Sequence, residues 1–223
     1  MSSPQSTLSA LQDRLLVTLT RVRPRWVLTG GAALAGFHLG HRITHDLDLF
    51  WPGRDQLDEL PEAVSRAIEA EGLSVARVTT SPRFVRLQVS DGKNDTVVDL
   101  VADVSDRLEP PVELTIGGQS ILVDTPYEIL VNKLTTLLNR LEVRDVRDVR
   151  ALMGAGVALD RALGDAPRKD GGFSPLTLAW VLQTSPLSSL FRVDGGGDAA
   201  ELDLFLAEFI NHLIKSSAPQ PPT

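Results

Sequence analysis

Asp46 and Asp48, in the run Thr44-His45-Asp46-Leu47-Asp48-Leu49-Phe50, are the residues of this 223-residue chain whose type and spacing best suit chemistry. Ile43 to Phe50 alternates in character. Leu47 and Leu49 fall on one side and Thr44, Asp46 and Asp48 on the other, because successive side chains of a strand point to opposite faces. The two carboxylates therefore project together, spaced by roughly 6 to 7 Å along the strand. Unshielded, they repel. A hard divalent cation such as Mg²⁺ relieves that repulsion and is commonly held by one or two carboxylates plus substrate phosphates. The plainer reading is an edge strand that turns an acidic face to water, and the doublet alone does not choose between the two.

Asp99 shifts the balance. It lies in Thr96-Val97-Val98-Asp99-Leu100-Val101-Ala102, where both faces read as apolar, so the strand is expected to be central and covered. A lone carboxylate there costs several kcal/mol (~3 to 5) unless a metal or a strong donor compensates it. Three carboxylates on adjacent strands could hold two metal ions, one lowering the pKa of an attacking hydroxyl and the other stabilising a leaving pyrophosphate. Asp103 is the fallback third acid, with the start of a loop as its simpler role.

Ahead of the acidic strand stands Leu28-Thr29-Gly30-Gly31-Ala32-Ala33-Leu34. Gly30 and Gly31 let backbone approach a ligand unobstructed, and a helix starting there aims free N–H groups at a phosphate. By itself a Gly-Gly pair is more often just a turn, and this one lacks the spacing of a dinucleotide fingerprint or a Walker loop. Thr44 shares the acidic face and could bond a phosphate, although β-propensity explains it equally well.

The elements that must position these residues follow from periodicity. Leu8, Leu11, Leu15, Leu16 and Leu19 mark an opening amphipathic helix, ended by Arg21-Val22-Arg23-Pro24-Arg25. Trp26-Val27-Leu28 is a short strand, the glycines a turn, and Ala32 to Leu39 a helix. Trp51-Pro52-Gly53 breaks the acidic strand, and Leu57, Leu60, Val64, Ala67 and Ile68 mark a helix lasting to Gly72. Phe84 to Val89 and Thr96 to Ala102 form a hairpin around Asp91-Gly92, and Val112 to Val123 a second one around Gly117-Gly118. From Asp124 the period becomes helical. Thr125-Pro126-Tyr127-Glu128 reads as a capping box, followed by the stripe Ile129, Leu130, Leu134, Leu137, Leu138 and Leu141. Val143, Val146, Val149 and Leu152 continue in a second helix, ended by Gly154-Ala155-Gly156. Later helices are expected after Ser174-Pro175 and from Glu201 to Lys215, with Gly195-Gly196-Gly197 as a flexible connector.

Composition bounds the function. With 43% hydrophobic residues the chain can build its own core, and the absence of Cys excludes disulfides and cysteine-ligated metal. Met1 to Ser6 has neither cationic n-region nor apolar core, and no run is long enough to span a bilayer, so a cytoplasmic protein without membrane partners is expected. A net charge of -7 argues against broad nucleic-acid binding and confines any such contact to a local basic patch. Arg21, Arg23, Arg25, Arg140, Arg144, Arg147 and Arg150 could supply one, as could ordinary solvated helix faces. A zinc site at His38, His41 and His45 is disfavoured, because these positions cross from helix to loop to strand and cannot share a face.

Taken in order, Gly-Gly-x-Ala-Leu, an Arg-x-Thr-x-Asp-Leu-Asp-Leu-Phe strand, a lysine-bearing helix and an Arg-Asp-x-x-Asp helix resemble the AbiEii/AbiGii-type nucleotidyltransferase toxin family. That family has a DNA polymerase β-like minimal nucleotidyltransferase core. The resemblance covers roughly Trp26 to Leu152 and is more specific than any single motif. It implies an α+β fold, a polymerase β-like mixed sheet flanked by helices and followed by a helical C-terminal region. The expected division is 1–123 for the core with its N-terminal helix, 124–215 for the helical domain and 216–223 for a disordered tail. Gly30 and Gly31 match the glycine turn, Arg42 and Thr44 the residues before the acidic doublet, and Asp46 and Asp48 the metal-binding aspartates. Asp99 fits the third carboxylate. Lys133 matches the lysine that meets nucleotide phosphates, and Arg144-Asp145 with Asp148 matches the last acidic motif, Asp145 being the chosen functional acid. Ala32 stands where a threonine is common, which leaves phosphate contact there to backbone.

The residues of the helical half have plainer readings too. Lys133 lies beside the leucine stripe, where a lysine can snorkel to water. Arg144 and Asp148 have the i,i+4 spacing of a surface ion pair. The combined expectation is a metal-dependent nucleotidyltransferase that uses Mg²⁺ or Mn²⁺ to move a nucleoside monophosphate from an NTP to an acceptor hydroxyl. The resemblance implies tRNA as acceptor and a cognate antitoxin as partner. The alternatives are transfer to a protein or small molecule, and a nucleotide-binding module without turnover. The acids and the ammonium of Lys133 are expected to converge on one cleft.

Overall fold

The computed structural model describes residues 7–194 and 198–217. The polar leader, the triple-glycine connector and the proline-rich end expected as a tail lie outside the described residues. The chain divides into two compact units, Met1–Pro126 and Tyr127–Thr223. No described helix is long and apolar enough to cross a membrane.

The first unit is a mixed seven-stranded sheet with helices packed on it. Its strands are β1 (Val27–Thr29), β2 (Asp46–Pro52), β3 (Ser74–Thr80), β4 (Phe84–Ser90), β5 (Asp95–Asp103), β6 (Val112–Ile116) and β7 (Gln119–Val123), in the order β3-β4-β5-β2-β1-β7-β6. The β2–β5 and β1–β7 pairs are parallel, and the rest are antiparallel. Register explains why one face is core. Leu28, Leu49, Leu100 and Val85 lie opposite one another across four strands, as do Leu47, Val98 and Leu87 across three, and all are buried. A slip of one residue would turn this apolar set to the other face, so burial locks the register and with it the acidic face.

Among the described residues, three helices complete this unit. The first, α1 (Ala10–Leu19), starts with a capping box in which Ser9 and Gln12 each bond the other's backbone, and it buries Leu11, Leu15, Leu16 and Leu19. Next, α2 (Gly30–Ala33) passes into a π-helical turn, Leu34–His38, where the leucine carbonyl accepts from Leu39 five residues on. Finally, α3 (Leu60–Glu69) buries Leu60, Val64 and Ile68.

Both expected hairpins form, with Asp91 Oδ1 accepting from the backbone of Lys93 (2.8 Å) and Asn94 (2.7 Å) in the first turn. Three differences are instructive. The acidic strand starts at Asp46, three residues late, and runs through Pro52 to turn at Gly53, whose φ is 76°. Edge strand β3 had no apolar alternation to reveal it, since nearly all of it is exposed. Val97 and Val101 are only half-buried, so the face of β5 that carries Asp99 is not fully covered.

The second unit is helical: α4 (Pro126–Asn139), α5 (Val143–Gly154), α6 (Leu159–Asp165), α7 (Pro175–Thr184), α8 (Leu187–Val193) and α9 (Ala199–Ser216). Seven-residue α6 and α8 are two turns long, too short for a period to show in sequence. Ser174 caps α7 by accepting from the backbone of Thr177. The last helix runs one residue into the stretch expected as tail. The residues expected as a capping box have further partners: Thr125 donates to Glu109 (2.7 Å), and Glu128, fully buried, pairs with Lys169.

Candidate active site

The glycine turn is where the helix start, the loop of Arg42 and Thr44 and the acidic strand meet. Helix α2 begins at Gly30 with no intervening loop, and Gly30 has φ 63°, in the left-handed region that side chains with a Cβ rarely adopt. A Cβ at Gly30 would also collide with the Oδ2 carboxylate oxygen of Asp48. At Gly31 a Cβ would run into the guanidinium of Arg42 and stand 3.2 Å from Thr44 Oγ1. Gly30, Gly31, Arg42, Thr44 and Asp48 are thus one cluster, and the two glycines are the residues small enough to let it close.

The loop that carries Arg42 and Thr44 is held along its backbone. The Thr7 hydroxyl donates to the carbonyl of Arg42 (2.8 Å), Gln12 Nε2 to that of Thr44 (3.1 Å), and Thr96 to that of His45 (2.7 Å). Gln12 is 1% exposed, so its amide is a buried strut. Ile43, by contrast, is 70% exposed, which shows that the stretch expected as a strand start is a pinned loop.

Asp48 stands opposite Thr29 on one side and Asp99 on the other, and Asp99 stands opposite Arg86 on β4. Residues directly paired across a sheet share a face, so Thr29, Asp48, Asp99 and Arg86 form one polar row across four strands. Asp46 and Asp48 are half-buried and Asp99 is buried. Arg86 grips Asp99 with both prongs, Nε to Oδ1 at 2.8 Å and Nη2 to Oδ2 at 2.6 Å. The bond to Asp99 raises the Arg86 pKa above its usual value against the opposing effect of burial, and the charges of Asp99, Asp46 and Asp48 add to the rise. The donor that compensates buried Asp99 is therefore an arginine of the same sheet.

In the second unit Lys133 is buried, with Nζ 2.5 Å from Asp145 Oδ1 and 2.8 Å from Asp148 Oδ2. Asp145 and Asp148 are fully buried, and Arg140 Nε reaches Asp145 Oδ2 at 3.4 Å. Burial favours neutral lysine, but the fields and hydrogen bonds of Asp148 and Asp145 outweigh it, so its pKa is raised. Neither plain reading of these residues holds. Lys133 is buried rather than snorkelling to water, Asp148 is fully buried against its ammonium rather than lying at the surface, and Arg144 pairs with Glu142 at 2.5 Å.

The structure brings Gly30, Gly31, Arg42, Thr44, Asp46, Asp48 and Asp99 together in the first unit, and Lys133 with Asp145 in the second. Arg86 and Gln12 were missed from sequence. Arg86 could have been found, because the Asp91-Gly92 hairpin pairs Ser90 with Asp95 and hence, counting back, Arg86 with Asp99. Gln12 gave no signal beyond its place in the first helix. Of the arginines expected as an RNA-facing patch, Arg21 pairs with Glu71, Arg25 with Glu113, Arg140 and Arg144 with Glu142, Arg147 with Asp194 and Asp198, and Arg150 with Glu201, whereas Arg23 donates to the carbonyls of Thr20 and Val22.

Chemically, the neighbouring carboxylates of Asp46 and Asp48 are hard oxygen donors next to a glycine floor, which suits a divalent cation bound together with phosphate. The oxygens of Asp99 already accept from Arg86. Among the described residues, no group of three or more His, Asp or Glu side chains is arranged to hold a metal ion.

Solved structures with the same fold include a candidate nucleotidyltransferase from H. pylori (TM-score 0.55, 21% identity, 93% of this chain and 96% of that one). JHP933 from Helicobacter pylori is similar at TM-score 0.53 and 20% identity, over 92% of this chain and 89% of that one. An antigenic nucleotidyltransferase-like protein from Paracoccidioides brasiliensis matches at TM-score 0.51 and 19% identity, over 84% and 93%. No curated protein sequence matches the chain significantly. The sequence profile described as "Nucleotidyl transferase AbiEii toxin, Type IV TA system" matches residues 14–187, which take in the glycine turn, the acidic row and the Lys133 cluster. With an α+β fold of nucleotidyltransferase type around those residues, the chain belongs to the AbiEii nucleotidyltransferase toxin family.

Proposed function

We propose that the protein transfers a nucleoside monophosphate from an NTP to an acceptor hydroxyl, with release of pyrophosphate, and that Asp46 and Asp48 hold the Mg²⁺ or Mn²⁺ the reaction uses. The observation that carries this reading is the contact zone of Gly30 and Asp48, where a phosphate-accepting turn abuts a metal-binding acid. When bound, the metal neutralises phosphate charge and lowers the pKa of the attacking hydroxyl.

The chain's own residues supply position and charge. Gly30 and Gly31 let phosphate oxygens reach backbone N–H groups, and Arg42 and Thr44 offer donors beside them. Fixed placement of the α-phosphorus in line with the acceptor accounts for rate by orientation and pre-set electrostatics rather than covalent chemistry. Asp99 is the third acid of the row. Lys133 and Asp145 are assigned to the nucleotide-transfer machinery on the strength of the family resemblance.

Family membership makes tRNA the first acceptor to test and a cognate antitoxin the expected partner, in a cytoplasmic setting. A protein or small-molecule acceptor is the second reading, favoured by the net charge of -7 and by arginines already paired with acids. Incubation with each labelled NTP, Mg²⁺ and either total tRNA or protein alone separates them. Label on RNA upholds the first reading and label on protein the second, while nucleotide binding without transfer in every arm would overturn both.

A further inference from the structure

Asp48 and Asp99 stand opposite each other across β2 and β5, with Asp46 two residues from Asp48 on the same face, and Arg86 is the cation that grips Asp99. The Arg86 side chain is 39% exposed whereas that of Asp99 is 7% exposed, so the arginine lies at the rim and the aspartate inside. Phe84, two residues earlier on the same face of β4, has its ring centroid 5.8 Å from the guanidinium, which gives the side chain a second surface to rest on. A divalent cation held at Asp46 and Asp48 would lie next to Asp99 and would repel a guanidinium kept in its present place.

We propose that Arg86 is the resident counter-ion of Asp99 and competes with divalent metal for it. In this arrangement the Arg86–Asp99 pair keeps the third acid closed while the site is empty. As metal and nucleotide load, Asp99 exchanges the guanidinium for metal and Arg86 swings outward over Phe84. Arg86 is a positioning residue: it sets when Asp99 becomes available and how tightly the row holds cations without nucleotide. The inference rests on the reading that Asp46 and Asp48 bind metal.

The test uses the full chain and Mn²⁺ alone, titrated by electron paramagnetic resonance of the free ion. Removal of one positive charge from the row in Arg86→Gln is expected to tighten Mn²⁺ binding by roughly ten-fold. A folded Arg86→Gln protein that binds Mn²⁺ no tighter than wild type overturns the proposal. Should that variant not fold, wild-type NMR decides. The Arg86 Nε–H resonance, assigned by its loss in Arg86→Lys, is expected to shift and exchange faster with water on saturation with Mg²⁺ and a non-hydrolysable NTP. An unchanged resonance at saturation overturns the proposal. Wild-type Mn²⁺ binding that survives the double change Asp46→Ala and Asp48→Ala would instead overturn the metal assignment on which it rests.

Discussion

Gly30 leaves no room for a side chain because the carboxylate of Asp48 stands against it. Two penalties therefore combine in Gly30→Ala: a left-handed backbone, which costs a residue with a Cβ about 1 to 2 kcal/mol, and displacement of the acid. We expect a stability loss of that order in urea unfolding, with transfer activity falling far more than stability does. A variant of wild-type activity would show that Asp48 can move without consequence.

Asp48→Ala should behave in the opposite way. Removal of one like charge from a half-buried row relieves repulsion, so the melting temperature should be unchanged or raised while nucleotidyl transfer disappears. Thermal melts beside a labelled-NTP assay check this. A marked drop in melting temperature would make Asp48 a structural residue.

Lys133 is expected to matter for folding as well as for transfer. Loss of one partner from a buried ion pair typically costs about 3 to 5 kcal/mol, and Lys133→Met would take the ammonium away from two fully buried aspartates. The sign of its pH dependence is fixed by its raised pKa. Its stabilisation is complete below the ordinary lysine value of 10.5 and is lost as pH rises through the higher folded value. Wild type should lose stability in that alkaline window, and Lys133→Met should lack this component of the loss.

His38 supplies the acid-side counterpart. Burial lowers its pKa, and its Nε2 lies 2.7 Å from the carbonyl oxygen of Asp124, a contact that suits neutral imidazole donating its proton. The unfolded chain therefore takes up a proton at higher pH than the folded one. Stability should fall as pH drops from the ordinary value of 6.5 through the lowered folded value, then level off. His38→Gln should flatten that part of the profile in denaturant titrations between neutral and mildly acidic pH.

Gln12 tests the loop support. Gln12→Ala leaves the carbonyl of Thr44 without this buried donor, which typically costs about 1 to 3 kcal/mol, and it also removes half of the box that caps α1. We expect lower stability together with a raised KM for NTP. A normal KM would show that Thr44 stays in place without it.

Local pattern made much of this protein legible. The alternation of Asp46-Leu47-Asp48-Leu49 dictates a strand with its acids on one face, because a pleated backbone has a period of two whatever surrounds it. Gly-Gly at a strand end, two hairpins with glycine turns and the leucine stripe of α4 are likewise local, and the family resemblance rests on the same short motifs. Edge strand β3 and the two-turn helices α6 and α8 were not legible, since exposure and brevity remove the periodic signal.

Tertiary structure decided who answers each charge. Sequence predicted that buried Asp99 needs a strong donor, since an ion out of water must be balanced. That the donor is Arg86 depends on hairpin register, and Asp99 comes beside Asp48 through a parallel pairing between strands some fifty residues apart. The same holds for Lys133, whose place beside the leucine stripe was readable but whose two aspartate partners were not, because they come from another helix. Periodicity is a property of the chain and survives in any fold. Charge neutralisation is a property of three-dimensional neighbours, and packing alone selects them.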